Sequence, residues 1–206
     1  IKLGAKMVNF FEWEMPISYS SVIEEHNAVR NDIGIFDVSH MTIFDLDGGD
    51  QLAFLEYIFA NDIKKISTSN KAIYGVLLNE YGGILDDLII YHAENKFRLV
   101  SNCSTREQNK DWFEKHAKQF NVSVIERSDM GILAVQGPNA LKKIHEIKGI
   151  SFEVQNIEPF GCIFDDDNLF ARTGYTGEDG FELIVKNSEI ENFWMQAIEL
   201  GFTPIG

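Results

Sequence analysis

The stretch Gly82-Gly83-Ile84-Leu85-Asp86-Asp87-Leu88-Ile89-Ile90-Tyr91 joins a pair of glycines to an apolar run that contains two adjacent aspartates. Paired glycines between two apolar segments are typical of a β-hairpin turn. We therefore predict a strand over residues 71–79, a turn at Tyr81-Gly82-Gly83 and a returning strand over residues 84–92. Because the strands of a hairpin are antiparallel, this stretch favours an antiparallel sheet.

Alternation along the returning strand separates the two aspartates. Successive strand residues point to opposite faces, so Asp87 shares a face with Tyr91, whereas Asp86 points the other way. If Gly82-Gly83 is a two-residue loop, Tyr74 lies opposite Tyr91. One face then carries Tyr74, Asp87 and Tyr91, and a three-residue loop would break this grouping.

Two interpretations of the aspartates remain open at this point. The first is an edge strand with one solvated aspartate and one that caps a neighbouring loop. The second is a functional carboxylate between two aromatic rings, suited to an aromatic ligand that bears N–H groups. A carboxylate inside an apolar strand must find hydrogen bonds or opposite charge, so both interpretations require partners.

Helical periodicity and capping residues predict further elements on both sides of the hairpin. Few strand–helix–strand units of the parallel type are evident, so we predict an α+β fold with antiparallel sheets and flanking helices. The last five residues are expected to form a loop. Predicted helices cover about residues 21–31, 50–59, 105–120, 137–147 and 188–200, and further strands cover about 35–38, 42–46, 96–101, 122–125, 131–135, 161–164, 169–172 and 181–185.

The stretch Arg172-Thr173-Gly174-Tyr175-Thr176-Gly177-Glu178-Asp179-Gly180-Phe181-Glu182 places three glycines at a spacing of three. No Gly-Lys-Ser/Thr follows, so it is not a phosphate-binding loop, and the spacing does not match a dinucleotide fingerprint. From spacing alone, the simplest interpretation is a hairpin loop. Glu182, just after the loop, is a carboxylate that could accept two parallel hydrogen bonds from a fork of N–H donors.

Composition excludes several classes of protein. The 206 residues carry a formal net charge of −14, which disfavours binding to a phosphate backbone, so no nucleic-acid partner is expected. The two cysteines form no Cys-x-x-Cys or Cys/His cluster, so no metal is expected, and a reducing compartment fits best. The apolar runs are too short for a membrane span, and 45% hydrophobic residues suffice for a packed core.

Two weaker candidates for catalysis also occur in the sequence. Asp37, Ser39 and His40 lie within four residues, but triad members are brought together by the fold rather than by adjacency, and His40 is more typical of a structural histidine. Cys103 has no base beside it in the sequence, so covalent catalysis is a weak hypothesis.

Several motifs together resemble the aminomethyltransferase family, which includes the T-protein of the glycine cleavage system. They occur in the family's order over nearly the whole chain, with one departure at Asn9-Phe10-Phe11-Glu12-Trp13, where the family usually has an Asp and a Gly-containing step. The matching motifs are 4–8, Trp13-Glu14-Met15-Pro16, Phe36-Asp37-Val38-Ser39-His40-Met41, Asn61-Asp62, 82–88, Val135-Gln136-Gly137-Pro138 and 172–182.

The resemblance implies a folate-binding aminomethyltransferase-like fold of three domains. Residues 1–46 and 132–206 would form a discontinuous first domain, and residues 47–131 an inserted α+β second domain. The C-terminal barrel domain is expected to be absent from this chain, and with it an arginine that contributes to folate binding. A chain of this extent is therefore expected to lack part of the site, and an inactive fragment of a larger enzyme stays open as an interpretation.

The resemblance also implies site residues and a reaction. Asp87 matches the catalytic aspartate and Glu182 the pterin-binding glutamate of the family. The substrates would be tetrahydrofolate and the aminomethyl group on lipoylated H-protein, and the products ammonia and 5,10-methylene-tetrahydrofolate, in the cytoplasm or the mitochondrial matrix. Residues that match the lining of the folate channel are Met41, Tyr74, Tyr91, Asn102 and Tyr175.

Other members of the family leave alternatives open. A related folate-dependent enzyme of sarcosine, dimethylglycine or sulfonium demethylation would share the folate site and use another donor. A non-catalytic folate-binding module would carry a characteristic cysteine motif and need not keep Asp87 and Glu182.

Overall fold

The computed structural model describes residues 3–206, which form five α-helices and thirteen β-strands. The helices are α1 (Val22–Asn31), α2 (Gln51–Ile58), α3 (Arg106–Ala117), α4 (Ala140–Lys143) and α5 (Asn187–Glu199). The strands are β1 (Lys6–Phe10), β2 (Trp13–Ser18), β3 (Gly34–Asp37), β4 (Thr42–Gly48), β5 (Lys71–Leu78), β6 (Ile84–Ala93), β7 (Lys96–Ser101), β8 (Val122–Glu126), β9 (Met130–Gln136), β10 (Cys162–Asp165), β11 (Asn168–Ala171), β12 (Gly180–Lys186) and β13 (Thr203–Ile205).

The described chain divides into two compact units. Unit 1 comprises the residues up to His40 together with Asp129–Gly206, and unit 2 comprises Met41–Ser128. The predicted boundary at 46/47 would cut through β4, which pairs with β7 and β8 in the sheet of unit 2. The predicted boundary at 131/132 would likewise cut through β9, whose seven residues belong to unit 1.

Unit 1 is built on a six-stranded sheet in the order β10-β11-β12-β9-β3-β13. All its pairings are antiparallel except that of β13 with β3, and β1 and β2 form a separate antiparallel hairpin. One face of the sheet carries the apolar core. It packs against α5 through Phe193 and Ala197, because these residues recur at helical spacing on one side of the helix.

Unit 2 is built on a five-stranded antiparallel sheet in the order β5-β6-β7-β4-β8. Leu88 and Ile90 of β6 point into its apolar core, where α2 contributes Phe54 and α3 contributes Phe113. The prediction of an α+β fold with antiparallel sheets and flanking helices is confirmed.

The hairpin of β5 and β6 differs from its predicted register. Five residues, 79–83, connect the strands, and a bulge interrupts the pairing between Leu77 and Leu78. The two-residue loop predicted from Gly82-Gly83 is therefore wrong. The side chain of Asn79 holds the loop, since its Oδ1 accepts the main-chain N–H groups of residues 81 and 83, each at 2.9 Å.

The observed pairing places Tyr74 opposite Ile89 instead of Tyr91. This shift of two residues keeps Tyr74 on the face of Asp87, because side chains alternate with a period of two. It also moves Tyr74 from four residues away along the neighbouring strand to a diagonal position beside Asp87, which long side chains can span.

Two local predictions are also corrected, and one element was missed. The last residues were expected to be a loop, but Thr203–Ile205 form β13 beside β3. The helix predicted over residues 137–147 is limited to α4 and a following 3-10 turn, Ile144–Glu146, so Pro138 precedes the helix rather than opening it. The hairpin of β1 and β2 was not predicted.

Candidate functional site

The carboxylate of Asp87 is half-buried on β6, between β5 and β7. Tyr74 donates its hydroxyl to Oδ2 of Asp87 at 2.9 Å, and this hydrogen bond is the main reason that the pKa of Tyr74 is raised. The edge-strand interpretation of the aspartates is wrong, because β6 has a neighbour on each side. The Tyr74 ring is 55% exposed, so this carboxylate–hydroxyl pair is accessible from solvent.

Asn102 lies directly after β7 and contacts the same carboxylate. Its Nδ2 is 3.2 Å from Oδ1 of Asp87 and 3.3 Å from the main-chain oxygen of Asp87. Both carboxylate oxygens of Asp87 therefore accept a hydrogen bond from a neutral side chain, one from Tyr74 and one from Asn102. This arrangement fixes the carboxylate without neutralising its charge.

Asp86 points to the opposite face, where it is 6% exposed and lies at the beginning of α3. Its carboxylate accepts hydrogen bonds from Nδ2 of Asn102 at 2.7 Å, from Oγ1 of Thr105 at 2.7 Å and from Nδ2 of Asn109. Sequence analysis did not predict this cluster. The signal available was the spacing of Thr105 and Asn109, which are four residues apart and so share a face at the start of a helix.

The other two predicted site residues of unit 2, Tyr91 and Met41, are placed by the sheet that carries Asp87. Tyr91 is on the face of Asp87, four residues along β6, and is 1% exposed. Met41 is half-buried and directly precedes β4. The first residue of β4, Thr42, pairs with Ser101, the last residue of β7, and Asn102 follows Ser101. Met41 therefore lies at the same end of the sheet as Asp87 and Asn102.

Glu182 lies in unit 1, on the face of the six-stranded sheet that does not carry the core. The residues opposite it on the neighbouring strands are Ala171 and Ala134, whose small side chains leave space around the carboxylate. Glu182 is 8% exposed, and Oγ1 of Thr173 lies 2.5 Å from its Oε2. A buried carboxylate with an oriented hydroxyl partner is suited to binding a ligand that offers N–H donors.

Tyr175 and Phe36 add an aromatic surface in the same unit. Phe36 is opposite Ala134 and thus on the face of Glu182, and its ring packs edge-on against Tyr175 at 6.1 Å. Desolvation, followed by the negative charge of Glu182, raises the pKa of Tyr175. Because the residue as a whole is 58% exposed, this desolvation concerns its hydroxyl end. A pocket of about 290 Å³ opens beside the two rings and Thr176.

Gln136 organises the glycine-rich loop around Tyr175. The side chain is fully buried; its Nε2 donates to the main-chain oxygen of Thr173 at 3.2 Å, and its Oε1 accepts from Oγ1 of Thr176 at 2.9 Å. A Cβ atom at Gly174 or Gly180 would lie 2.1–2.2 Å from this amide, so only glycine fits at both positions. Residues 172–179 connect the antiparallel β11 and β12, as the hairpin-loop interpretation predicted.

The weaker candidates do not form catalytic arrangements. The Ser39 hydroxyl accepts the N–H of Ile132, and Oδ1 of Asp37 accepts the N–H of Ser39, so these two residues shape a turn. His40 packs against Phe10, and burial lowers its pKa. Burial also raises the pKa of the Cys103 thiol, which disfavours the nucleophilic thiolate.

Within residues 3–206, no three or more His, Cys, Asp or Glu side chains are grouped so that they could hold a metal ion. None of the helices over the same residues has the length and apolar character needed to cross a membrane.

The chain is similar to proteins of known class over its whole length. It is 46% identical over 206 residues to an aminomethyltransferase of Legionella pneumophila (strain Corby), covering 98% of this chain and 57% of that protein. The crystal structure of the glycine cleavage system aminomethyltransferase T from Bartonella henselae matches with a TM-score of 0.89 and 31% identity, covering 100% of this chain and 56% of that one.

A more distant likeness concerns the fold alone. The heterotetrameric sarcosine oxidase from Corynebacterium sp. U-96 matches with a TM-score of 0.54 and 14% identity, over 86% of this chain and 89% of that one.

The chain thus spans a little over half the length of the aminomethyltransferases that it matches. The model of the family described as the GCVT N-terminal domain matches residues 1–206. The likeness in sequence, fold and motif order leads to one conclusion: the chain belongs to the GCVT N-terminal domain family.

Proposed function

We propose that the protein is a tetrahydrofolate-dependent aminomethyltransferase of the glycine cleavage system. Relatives named aminomethyltransferase, and a structural neighbour named for the glycine cleavage system, support this proposal. Because the chain spans 57% of the Legionella relative, the reaction belongs to the protein at full length. The two units would be the discontinuous first domain and the inserted second domain of a three-domain enzyme.

The observation that carries the proposal is the environment of Asp87. Its carboxylate is held by Tyr74 at 2.9 Å and Asn102 at 3.2 Å, and neither partner neutralises its charge. It can therefore accept a proton or an N–H hydrogen bond from a folate amine. Such a group typically contributes about 10²- to 10⁴-fold to the rate.

The reaction requires two bonds to break and two to form at one carbon. The aminomethyl carbon is bonded to a lipoyl sulfur of H-protein and to an amino nitrogen. It forms new bonds to N5 and N10 of tetrahydrofolate, the sulfur leaves as a thiol and the nitrogen leaves as ammonia. The two folate N–H protons balance the thiol and the ammonia, and Asp87 would orient the folate and bind the proton of N10.

Glu182 would bind the pterin end of the folate. A pterin offers an exocyclic amino group and an adjacent ring N–H, which match the two oxygens of a carboxylate. Tyr175 and Phe36 would contribute aromatic contact beside it, and Met41, Tyr74, Tyr91 and Asn102 would line the channel in unit 2. The folate acts as a co-substrate, and no metal is required.

The experiment measures ammonia release by the full-length protein with aminomethylated H-protein and tetrahydrofolate. Asp87→Asn and Asp87→Ala should each lower kcat by about two to four orders of magnitude. Asp47→Asn is a matched control, because Asp47 is an exposed aspartate of the same unit. Near-normal turnover by both Asp87 variants would contradict the assignment.

The same assay distinguishes the alternatives. Transfer from sarcosine, dimethylglycine or a sulfonium donor, without transfer from H-protein, would indicate a different folate-dependent demethylase. Folate binding without transfer from any of these donors would indicate a non-catalytic folate-binding module.

A further inference from the structure

One side-chain nitrogen connects the two adjacent aspartates. Nδ2 of Asn102 is 2.7 Å from Oδ1 of Asp86 and 3.2 Å from Oδ1 of Asp87, although these carboxylates point to opposite faces of β6. An amide nitrogen carries two hydrogens, so it can donate to both carboxylates at once.

The carboxylate of Asp86 is itself held in place from the other side. Its Oδ2 accepts the Thr105 hydroxyl at 2.7 Å and the amide of Asn109, which is completely buried. The main-chain N–H of Asn102 points to the same oxygen at 3.4 Å. Asp86 therefore cannot move away from Asn102 without leaving buried donors unpaired, which is unfavourable.

The two ends of an asparagine amide have nearly the same shape, so neighbouring groups decide which end faces which way. An ionised carboxylate only accepts hydrogen bonds. Asp86 therefore requires the NH₂ end of Asn102 on its side, and this orientation also supplies the donor for Asp87. Among residues 3–206, the amide oxygen of Asn102 accepts no hydrogen bond, so it is available as an acceptor.

We propose that Asp86 is a positioning residue for transfer: it sets the orientation of the Asn102 amide, so that the NH₂ end holds Asp87 and the carbonyl end accepts an N–H of the bound folate. This inference rests on the proposed function. It assigns Asp86 a role through Asn102, with no contact between Asp86 and the reacting atoms.

The isosteric variant Asp86→Asn tests the inference with little change of shape. In the substituted side chain, the remaining oxygen can still accept from Thr105 and Asn109. An NH₂ group replaces Oδ1, so two donors, this group and the NH₂ of Asn102, would face each other. The Asn102 amide should then turn over and present its oxygen to Asp87. We expect kcat to fall about 10- to 100-fold, the value of a hydrogen bond to a charged group, with a smaller change in KM for tetrahydrofolate.

A double-mutant cycle separates positioning from general destabilisation. If Asp86 acts through Asn102, Asp86→Asn should lower kcat by less than about twofold in an Asn102→Ala background. Equal losses in the two backgrounds would overturn the proposal. Asp50→Asn is the control, because Asp50 is an aspartate of unit 2 whose carboxylate accepts the main-chain N–H of Asn121, and it should leave transfer unchanged.

A readout that does not require activity distinguishes failure of this inference from failure of the proposed function. In the free protein, the side-chain amide NMR resonances of Asn102, assigned by their loss in Asn102→Ala, should shift in Asp86→Asn and stay in place in Asp50→Asn. Unshifted resonances in Asp86→Asn would overturn the proposed orientation. If the wild-type protein transfers no aminomethyl group, the proposed function fails, and shifted resonances would still support control of Asn102 by Asp86.

Discussion

The side-chain amide of Gln136 donates to the main-chain oxygen of Thr173 across 3.2 Å, and this contact passes through the centre of the glycine-rich loop. The same amide accepts the hydroxyl of Thr176. The loop that carries Tyr175 is thus built around one buried polar side chain.

Replacing Gln136 by Leu should destabilise unit 1. The change removes the donor to the buried Thr173 oxygen and the acceptor of the half-buried Thr176 hydroxyl. Loss of the buried hydrogen bond alone costs about 1–3 kcal/mol. Urea unfolding should show a lower free energy of unfolding, whereas Gln119→Leu, at an exposed position, should change it by less than about 0.5 kcal/mol. Equal stability of the two variants would contradict the role given to Gln136.

Glu182→Gln should weaken the binding of tetrahydrofolate by the full-length protein. The amide keeps the size of the carboxylate and can still accept from Thr173, but it replaces one acceptor by a donor that faces the pterin. Loss of a charge-assisted hydrogen bond corresponds to about 10- to 100-fold in Kd. Calorimetric titration measures this change, and Glu199→Gln, at an exposed position of the same unit, is the control. An unchanged Kd in Glu182→Gln would remove Glu182 from the pterin site.

Substitutions in the turn between β1 and β2 should raise the stability of the protein. Phe11 and Glu12 have φ angles of 47° and 71°, in the left-handed region that favours Asn and Gly. Replacing Phe11 by Asn together with Glu12 by Gly should raise the free energy of unfolding by about 1 kcal/mol or more, measured as a higher Tm.

A second turn provides the comparison. Glu94 and Asn95 connect β6 and β7 with φ angles of 53° and 65°. Because Asn95 already tolerates the left-handed region, replacing this pair by Asn and Gly should give a smaller gain. A larger gain here than at Phe11 and Glu12 would contradict the strain assigned to the first turn.

Stability should fall in mild acid because of His116. Its ring is buried against Trp112 and Tyr57, and burial, followed by the charge of Lys115, lowers its pKa below the ordinary value of 6.5, whereas Glu80 acts in the opposite direction. The unfolded chain therefore binds more protons than the folded protein near and below pH 6.5. The full stability is present above that pH and is lost as the pH falls through the lowered pKa.

The variant His116→Phe tests whether His116 causes the loss of stability in mild acid. The difference in unfolding free energy between pH 7.5 and pH 5 should become smaller, because phenylalanine keeps the ring and cannot take up a proton. It should not vanish, since burial lowers the pKa of His40 as well. A pH dependence equal to that of the wild-type protein would exclude His116 as a contributor.

The elements that sequence analysis found are those whose signals are local. Ser20 or Ser21 was expected to cap α1, because a serine hydroxyl satisfies the free N–H groups of a first helical turn. The cap is Ser21, whose Oγ accepts the N–H of Glu24 at 3.2 Å. The glycines of 172–180 likewise indicated a loop from their spacing alone. The pair Asp86 and Asp87 was singled out because a carboxylate in an apolar strand needs partners, and the family resemblance then pointed to Asp87.

The elements that sequence analysis missed depend on contacts between distant parts of the chain. Thr203–Ile205 is too short to show an alternating pattern in the sequence, and it contains a proline. Only its pairing with β3 makes it a strand. Asp86 was grouped with the core residues of its face, and its partners Asn102 and Asn109 belong to a different strand end and helix. The pattern of residues 84–92 does not indicate that α3 lies beside Asp86.

The bulge between Leu77 and Leu78 bears on which insertions and deletions this hairpin can accept. The partners of β6 lie two residues from the predicted positions, yet Tyr74 and Asp87 share a face under either register. Insertions or deletions that shift the pairing in steps of two would preserve the chemistry of the face, whereas a single-residue shift would turn every side chain of one strand over. Natural length variation in this hairpin should therefore occur in even steps, or be accompanied by the gain or loss of a bulge.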